Sequence, residues 1–257
     1  MALSGSRKAL LWGAFFIAWL WAAPALADHC SMPGAGQPVS SRHVIDGDTL
    51  ELTDGRRVRL IGINAPEIGR RGGASEPYAQ AARKALLRQV EGGELRLLVG
   101  EGATDRYGRT LGHLFNGQGA NIEAVLLQQG LGFAVGIAPN LQLLDCHLQY
   151  EQQARHRRSG VWGGSPVRPA VRVESGGFHL VRGRVGRVDR AGRYLWVELD
   201  GPLVVRLPGE LAPGAGVPGW QGRQLEVRGW VIDRRTAQRG QKRYMLPVDD
   251  ARLLVFE

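Results

Sequence analysis

Between two apolar, β-favouring runs of this 257-residue chain stands the dipeptide Asp54-Gly55. Such a pair flanked by alternating segments is the strongest short-range hairpin signal, because both central positions of a tight two-residue turn need positive φ. It commits residues 44–63 to two antiparallel strands. Counting outward from a two-residue turn pairs Thr53 with Arg56, Leu50 with Arg59, Asp48 with Ile61 and Asp46 with Ile63. Asp48 and Arg59 then share a face. Asn64, Ala65, Pro66 and Glu67 follow one step beyond the second strand, so the oxygen-bearing groups of both strands gather at the hairpin's open end. A bulge at Gly47 would move this register by one residue.

Arg59 is the odd member of an apolar strand, Val58-Arg59-Leu60-Ile61-Gly62-Ile63. A guanidinium at half-buried depth costs several kcal/mol, on the order of 3–5, unless an anion meets it. A structural carboxylate, Asp48 or Glu51, answers that need, and so does a phosphate. A second arginine in an unusual setting adds weight to the phosphate: Arg109 closes the loop Thr104-Asp105-Arg106-Tyr107-Gly108-Arg109 between two further apolar runs. Two arginines and a glutamate suit phosphoryl chemistry, in which cationic forks stabilise developing charge.

IDGDT at residues 45–49, the RLxGIxxPE pattern at residues 59–67 and DRYGR at residues 105–109 resemble the staphylococcal nuclease (thermonuclease) family, and the similarity runs over roughly residues 40–163. It implies a mainly β fold with α, an OB-type five-stranded barrel carrying three helices, near residues 76–90, 122–129 and 141–158. It implies a calcium ion held by Asp48, Asn64 and the carbonyl of Ala65, Glu67 as general base, and Arg59 and Arg109 on the scissile phosphate of DNA or RNA. Tyr107 is expected against the substrate and Asp46 behind the metal, the latter weighed equally against a turn-stabilising role. The chain departs from the family pattern where Asn64 replaces an aspartate, which lowers the charge of the ligand set. It departs again at Gly136 and Ile137, where relatives carry tyrosines.

Residues 1–27 read as a secretory signal, with Arg7 and Lys8 before an apolar run and Ala25-Leu26-Ala27 before Asp28. The expectation is an exported, periplasmic or secreted protein without stable membrane association; an uncleaved N-terminal anchor is the alternative. The formal net charge of +9 stays strongly positive without Arg7 and Lys8, which favours a polyanionic partner. Cys30 and Cys146 are the only cysteines, and export leaves two readings, a disulfide or two separate thiols. No HxH, HExxH, CxxC or Walker-type pattern points to zinc or a nucleotide cofactor. A monomer is expected.

After Trp162 the composition changes. Residues 164–177 read as a linker, and residues 178–257 as short strands broken by turns, a second small OB-like β-barrel. Arginines beside Tyr194, Trp196, Trp230 and Tyr244 allow a single-strand grip, with a packed stabilising barrel as the equal alternative. For the whole chain the readings are a calcium-dependent endonuclease and a non-catalytic nucleic-acid-binding protein with a decayed site.

Overall fold

The hairpin forms, with a loop one residue longer than the count assumed. The computed structural model describes residues 30–69, 72–211, 219–235 and 240–257; the expected signal at residues 1–27 lies outside them. Of the turn pair only Gly55 takes a positive φ, +88°. The Asp54 carboxylate accepts the Arg56 N–H at 2.9 Å, which holds Asp54 in an ordinary turn conformation. Leu52 N–H donates to the Arg56 carbonyl at 2.8 Å. Thr53-Asp54-Gly55 is therefore a three-residue loop ending in a glycine bulge. Every pairing moves by one: Leu50 faces Val58 and Thr49 faces Arg59.

Strands β1 (Gln37–Val39) and β2 (Ser41–Val44) are separated by Ser40 alone. They flank β3 (Thr49–Leu52), β4 (Arg57–Leu60), β6 (Leu95–Thr104) and β7 (Thr110–Phe115) in the order β1-β6-β7-β4-β3-β2. Because the two edge strands are nearly one, the chain itself curls the sheet into a barrel of five strand positions, as expected. A short ribbon pairs β5 (Ile63–Asn64) with β8 (Phe133–Ala134). Helices α1 (Ala79–Val90), α2 (Ile122–Gln128) and α3 (Leu144–His156) complete this half. The core joins alternate strand residues, Leu50, Val58 and Leu97, to Leu86 of α1 and Leu126 of α2.

The second half is also a barrel. β10 (Gly177–Ala191) pairs with both β11 (Tyr194–Leu199) and β13 (Gln224–Asp233), and β12 (Leu203–Pro208) and β14 (Tyr244–Pro247) complete the ring β10-β11-β12-β14-β13. The parallel pair β12–β14 occupies the place of the parallel pair β4–β7. β15 (Leu254–Phe256) extends one margin and β9 (Val167–Pro169) the other. β9 corrects the expectation of a plain linker over residues 164–177. It pairs in parallel with β10, and Ala170 and Val173 enter the second core. Glycine and proline mark turns there, yet apolar residues every third position anchor the segment.

Helix α3 serves both barrels. Leu144 is buried in the second core, where such a side chain contributes about 1.5–3 kcal/mol, and Tyr150 packs on the first. The cysteine alternatives resolve as a disulfide, Cys30–Cys146, with Cα atoms 5.6 Å apart. Among the described residues no helix is long and apolar enough to cross a membrane.

Candidate active site

Asp48 is the centre of the hairpin's open end. It follows the sharp Asp46-Gly47 turn, in which the Asp46 carboxylate accepts the Asp48 N–H at 3.1 Å. Gly47 is required here by close approach: a Cβ would lie 2.5 Å from the Ala82 Cβ of α1 and 2.7 Å from the Ala65 Cβ. Helix α1 therefore clamps the turn, helped by Arg83, whose Nε donates to the Val44 carbonyl at 3.0 Å. Neither Ala82 nor Arg83 was legible as a site residue, since an alanine on a helix face carries no chemical signal.

With 3 % of its surface exposed, Asp48 is almost fully desolvated. Oδ2 accepts the Ala65 N–H at 2.8 Å and pairs with Arg59 Nη1 at 2.5 Å, while Oδ1 accepts from the Thr49 hydroxyl at 3.0 Å. Burial pushes its carboxyl up to about 7, against the pull of the Arg59 guanidinium and with the added push of Asp46. Arg59 in turn donates from Nη2 to Asn64 Oδ1 at 3.3 Å and from Nη1 to the Leu60 carbonyl at 3.1 Å. Asp46, Asp48, Arg59, Asn64 and Ala65 thus come together despite the shifted register, because Arg59 is long enough to reach across it.

Glu67 lies two residues beyond Ala65 with an exposed side chain. Its backbone is fixed: its N–H donates to Glu76 Oε2 at 2.8 Å and its carbonyl accepts the Glu76 N–H at 2.9 Å. Glu76 is a third residue that the motifs did not announce.

Arg109 enters from the neighbouring strand. Thr110 faces Val58 and Leu111 faces Arg59, so Arg109 stands level with Arg57, and strand spacing puts its Cα roughly 8 Å from that of Arg59. The Asp105 carboxylate organises this loop by accepting the Tyr107 N–H, the Arg109 N–H and Arg109 Nε at 2.9, 3.0 and 2.7 Å. Partial burial raises the Asp105 carboxyl, and these donors outweigh it, leaving the group below its usual range. Tyr107, 68 % exposed, lies beneath Arg106 and Arg109, whose guanidinium carbons are 4.8 and 5.6 Å from its ring centre.

Among the described residues no group of three histidine, cysteine or carboxylate side chains converges as a metal site. The expected donors are of another kind: one carboxylate, one amide oxygen and one backbone carbonyl. Two of them already meet a single cationic group, since Asp48 and Asn64 both turn an oxygen to Arg59. An all-oxygen set that gathers around a cation fits a hard divalent ion such as calcium.

Several of the second barrel's arginines are matched by carboxylates. Arg182 pairs with Glu226 at 2.8 Å, Arg187 with Asp189 at 2.7 Å and Arg243 with Asp233 at 2.9 Å. Arg193 and Arg206 flank Tyr194, with guanidinium carbons 5.0 and 4.7 Å from its ring centre.

Comparison with known proteins matches residues 57–164 to the family described as staphylococcal nuclease homologue. Protein ParB of Escherichia coli is 36% identical over 133 residues, 46% of this chain and 68% of that protein. A micrococcal nuclease of Shigella flexneri is 34% identical over 133 residues, 46% of this chain and 70% of its own length. A thermonuclease of Staphylococcus intermedius is 30% identical over 130 residues, 49% of this chain and 77% of its own.

Proposed function

We infer that this chain, which belongs to the staphylococcal nuclease homologue family, is an exported, calcium-dependent endonuclease that hydrolyses phosphodiester bonds of DNA and RNA. The observation that carries the reading is the buried Asp48 carboxylate with Arg59 at 2.5 Å and Asn64 on the same guanidinium, at the hairpin's open end.

Asp48, Asn64 and the Ala65 carbonyl would hold the divalent ion, which when bound polarises the phosphate and offsets its charge. Glu67 takes a proton from a water molecule whose oxygen forms a bond to phosphorus. Arg59 and Arg109, one on each of two neighbouring strands, donate to the equatorial oxygens as negative charge gathers there. The bond from phosphorus to the 5′ oxygen breaks, the leaving oxygen takes a proton from solvent water, and the phosphate stays on the 3′ side. Recognition through phosphate leaves sequence preference weak. The Asp105 hydrogen bonds support this assignment for Arg109, since an arginine fixed in advance loses less entropy on binding.

Export is supported by the N-terminal pattern and by the disulfide, a bond that persists in oxidising compartments. Gel zymography on DNA and on RNA tests the whole reading: clearing is expected with calcium and is lost with chelator. Folded protein that leaves both polymers intact with calcium present would return the chain to the non-catalytic alternative.

A further inference from the structure

The ribbon β5–β8 carries Asn64, and its outer strand is held from the second barrel. Ile63 faces Ala134 and Asn64 faces Phe133. Ala134 is gripped at both backbone polar atoms. Its N–H donates to Glu151 Oε1 at 2.7 Å, and its carbonyl accepts from Arg228 Nη1 at 3.3 Å. Arg228 also pairs with Glu151 Oε2, closing the ring. All three residues are buried. Glu151 comes from α3, whereas Arg228 comes from β13, far along the chain. The neighbouring Phe133 ring lies against Phe178 of β10 at 5.6 Å, and Phe178 against Trp230 of β13 at 5.1 Å. A ribbon of two residues a side has almost no stability of its own, so its placement is imposed by what grips it. A planar fork suits this task, because it serves a carboxylate and a carbonyl from one rigid group.

We propose that Arg228 is a positioning residue for the nuclease site: with Glu151 it sets the place of β8 and, through the β5–β8 pairing, the place of Asn64 and Ala65. The second barrel is then a working part of the site. The inference rests on reading Asn64 and Ala65 as donors to a divalent cation. It assigns Arg228 a role through the backbone, with no contact to substrate.

The test exchanges both charges at once, E151Q with R228M, so that neither is left buried alone. The E151Q change keeps an acceptor for the Ala134 N–H. Calcium binding to the full chain is read by titration calorimetry, the fold by circular dichroism, and the Ala65 amide, which donates to Asp48, by hydrogen exchange. The expected result is a calcium Kd about 3- to 10-fold weaker with unchanged dichroism. Ala65 amide exchange is expected to be about tenfold faster. R252A, which removes the 2.7 Å contact to Asp145 at the same junction of α3 with the second barrel, leaves both readings at their parent values. Where the pair exchange does not fold, R228K carries the same measurements, with a Kd shift of about 2- to 3-fold. A folded variant with the parent Kd, or with Ala65 exchange no faster than in R252A, overturns the proposal alone. A parent chain with no saturable calcium binding overturns the reading of Asn64 and Ala65 together with it.

Discussion

The two barrels share a strand order and differ in what they place on it. In each, a first strand feeds a tight connection into a second, and the third and last strands pair in parallel. In the first barrel that connection is Ile45-Asp46-Gly47-Asp48; in the second it is Gly192-Arg193. Each third strand bears an arginine facing the second, Arg59 opposite Thr49 and Arg206 opposite Trp196. Arg59 meets a buried carboxylate at 2.5 Å, whereas Arg206 lies over the Tyr194 ring at 4.7 Å. The same scaffold thus yields an anion-and-cation site in one copy and an aromatic stack in the other. Chemistry follows the two or three side chains at the connection, and the strand order alone does not predict it.

The largest expected effect separates the copies outright. Glu67→Gln should lower turnover about 10²- to 10⁴-fold with the fold intact, because an exposed carboxylate has little to contribute to packing. Arg193→Ala, at the matching connection of the second barrel, should leave turnover near its parent value. Single-turnover cleavage of a labelled oligonucleotide reads both. Comparable losses would mean that the second connection also acts on the phosphate.

Much of this was legible in the chain, and what was not has physical reasons. The first two motifs bring Asp46, Asp48, Arg59, Asn64 and Ala65 together, and the third binds Arg109 to Asp105, because each is local to one turn or one pair of neighbouring strands, where periodicity and turn chemistry act directly. The register went wrong by one because Asp54-Gly55 serves two loop types, and the hydrogen bond from Arg56 to the Asp54 carboxylate decides between them. The ring of Ala134, Glu151 and Arg228 was invisible, since no local pattern links an arginine of β13 to a carbonyl of β8. The linker reading failed for a related reason: Ala170 and Val173 matter only through the second core they enter, and Val167 only through its packing on the cluster of Trp162 and Leu180.

The disulfide sharpens the comparison, because both its cysteines precede the second barrel and it ties Cys30 to α3. Its sequence separation is 116 residues, and removing such a cross-link typically costs about 2–5 kcal/mol. Reduction, or serine at both cysteines, should lower the denaturant midpoint of tertiary signals from the first barrel. Signals from Trp196 and Trp230 should follow only as far as α3 transmits the loss. Equal stability of the reduced and oxidised chains would show that burial around Cys146 already holds α3 in place.

A smaller change concerns the ligand charge of the first barrel. Asn64 offers an amide oxygen where an aspartate would add a negative charge, so Asn64→Asp should lower the calcium concentration needed for half-maximal cleavage. The expected gain is about tenfold to a hundredfold, at about 1.4 kcal/mol per decade. A calcium titration of both chains measures it. An unchanged or higher requirement would mean that Arg59, which already holds Asn64 Oδ1 at 3.3 Å, takes the new charge for itself.

The smallest effect is expected in the second barrel, and it tests whether that copy grips nucleic acid at all. Arg193, Tyr194 and Arg206 line a cavity of about 240 Å³, but Glu210 and Asp249 line it too, so its cations share the cavity with acids. A phosphate entering there would meet repulsion along with attraction, unlike one beside Arg109, whose neighbouring acid is spent on fixing the loop. Arg206→Ala should therefore change affinity for single-stranded DNA by no more than about 3-fold, and the slope of log affinity against log salt by less than about 1. Fluorescence anisotropy in calcium-free buffer, where the strand stays whole, gives both numbers. A tenfold loss with a flatter salt dependence would instead make the aromatic stack a strand-binding surface, and the two barrels would then divide cutting from holding.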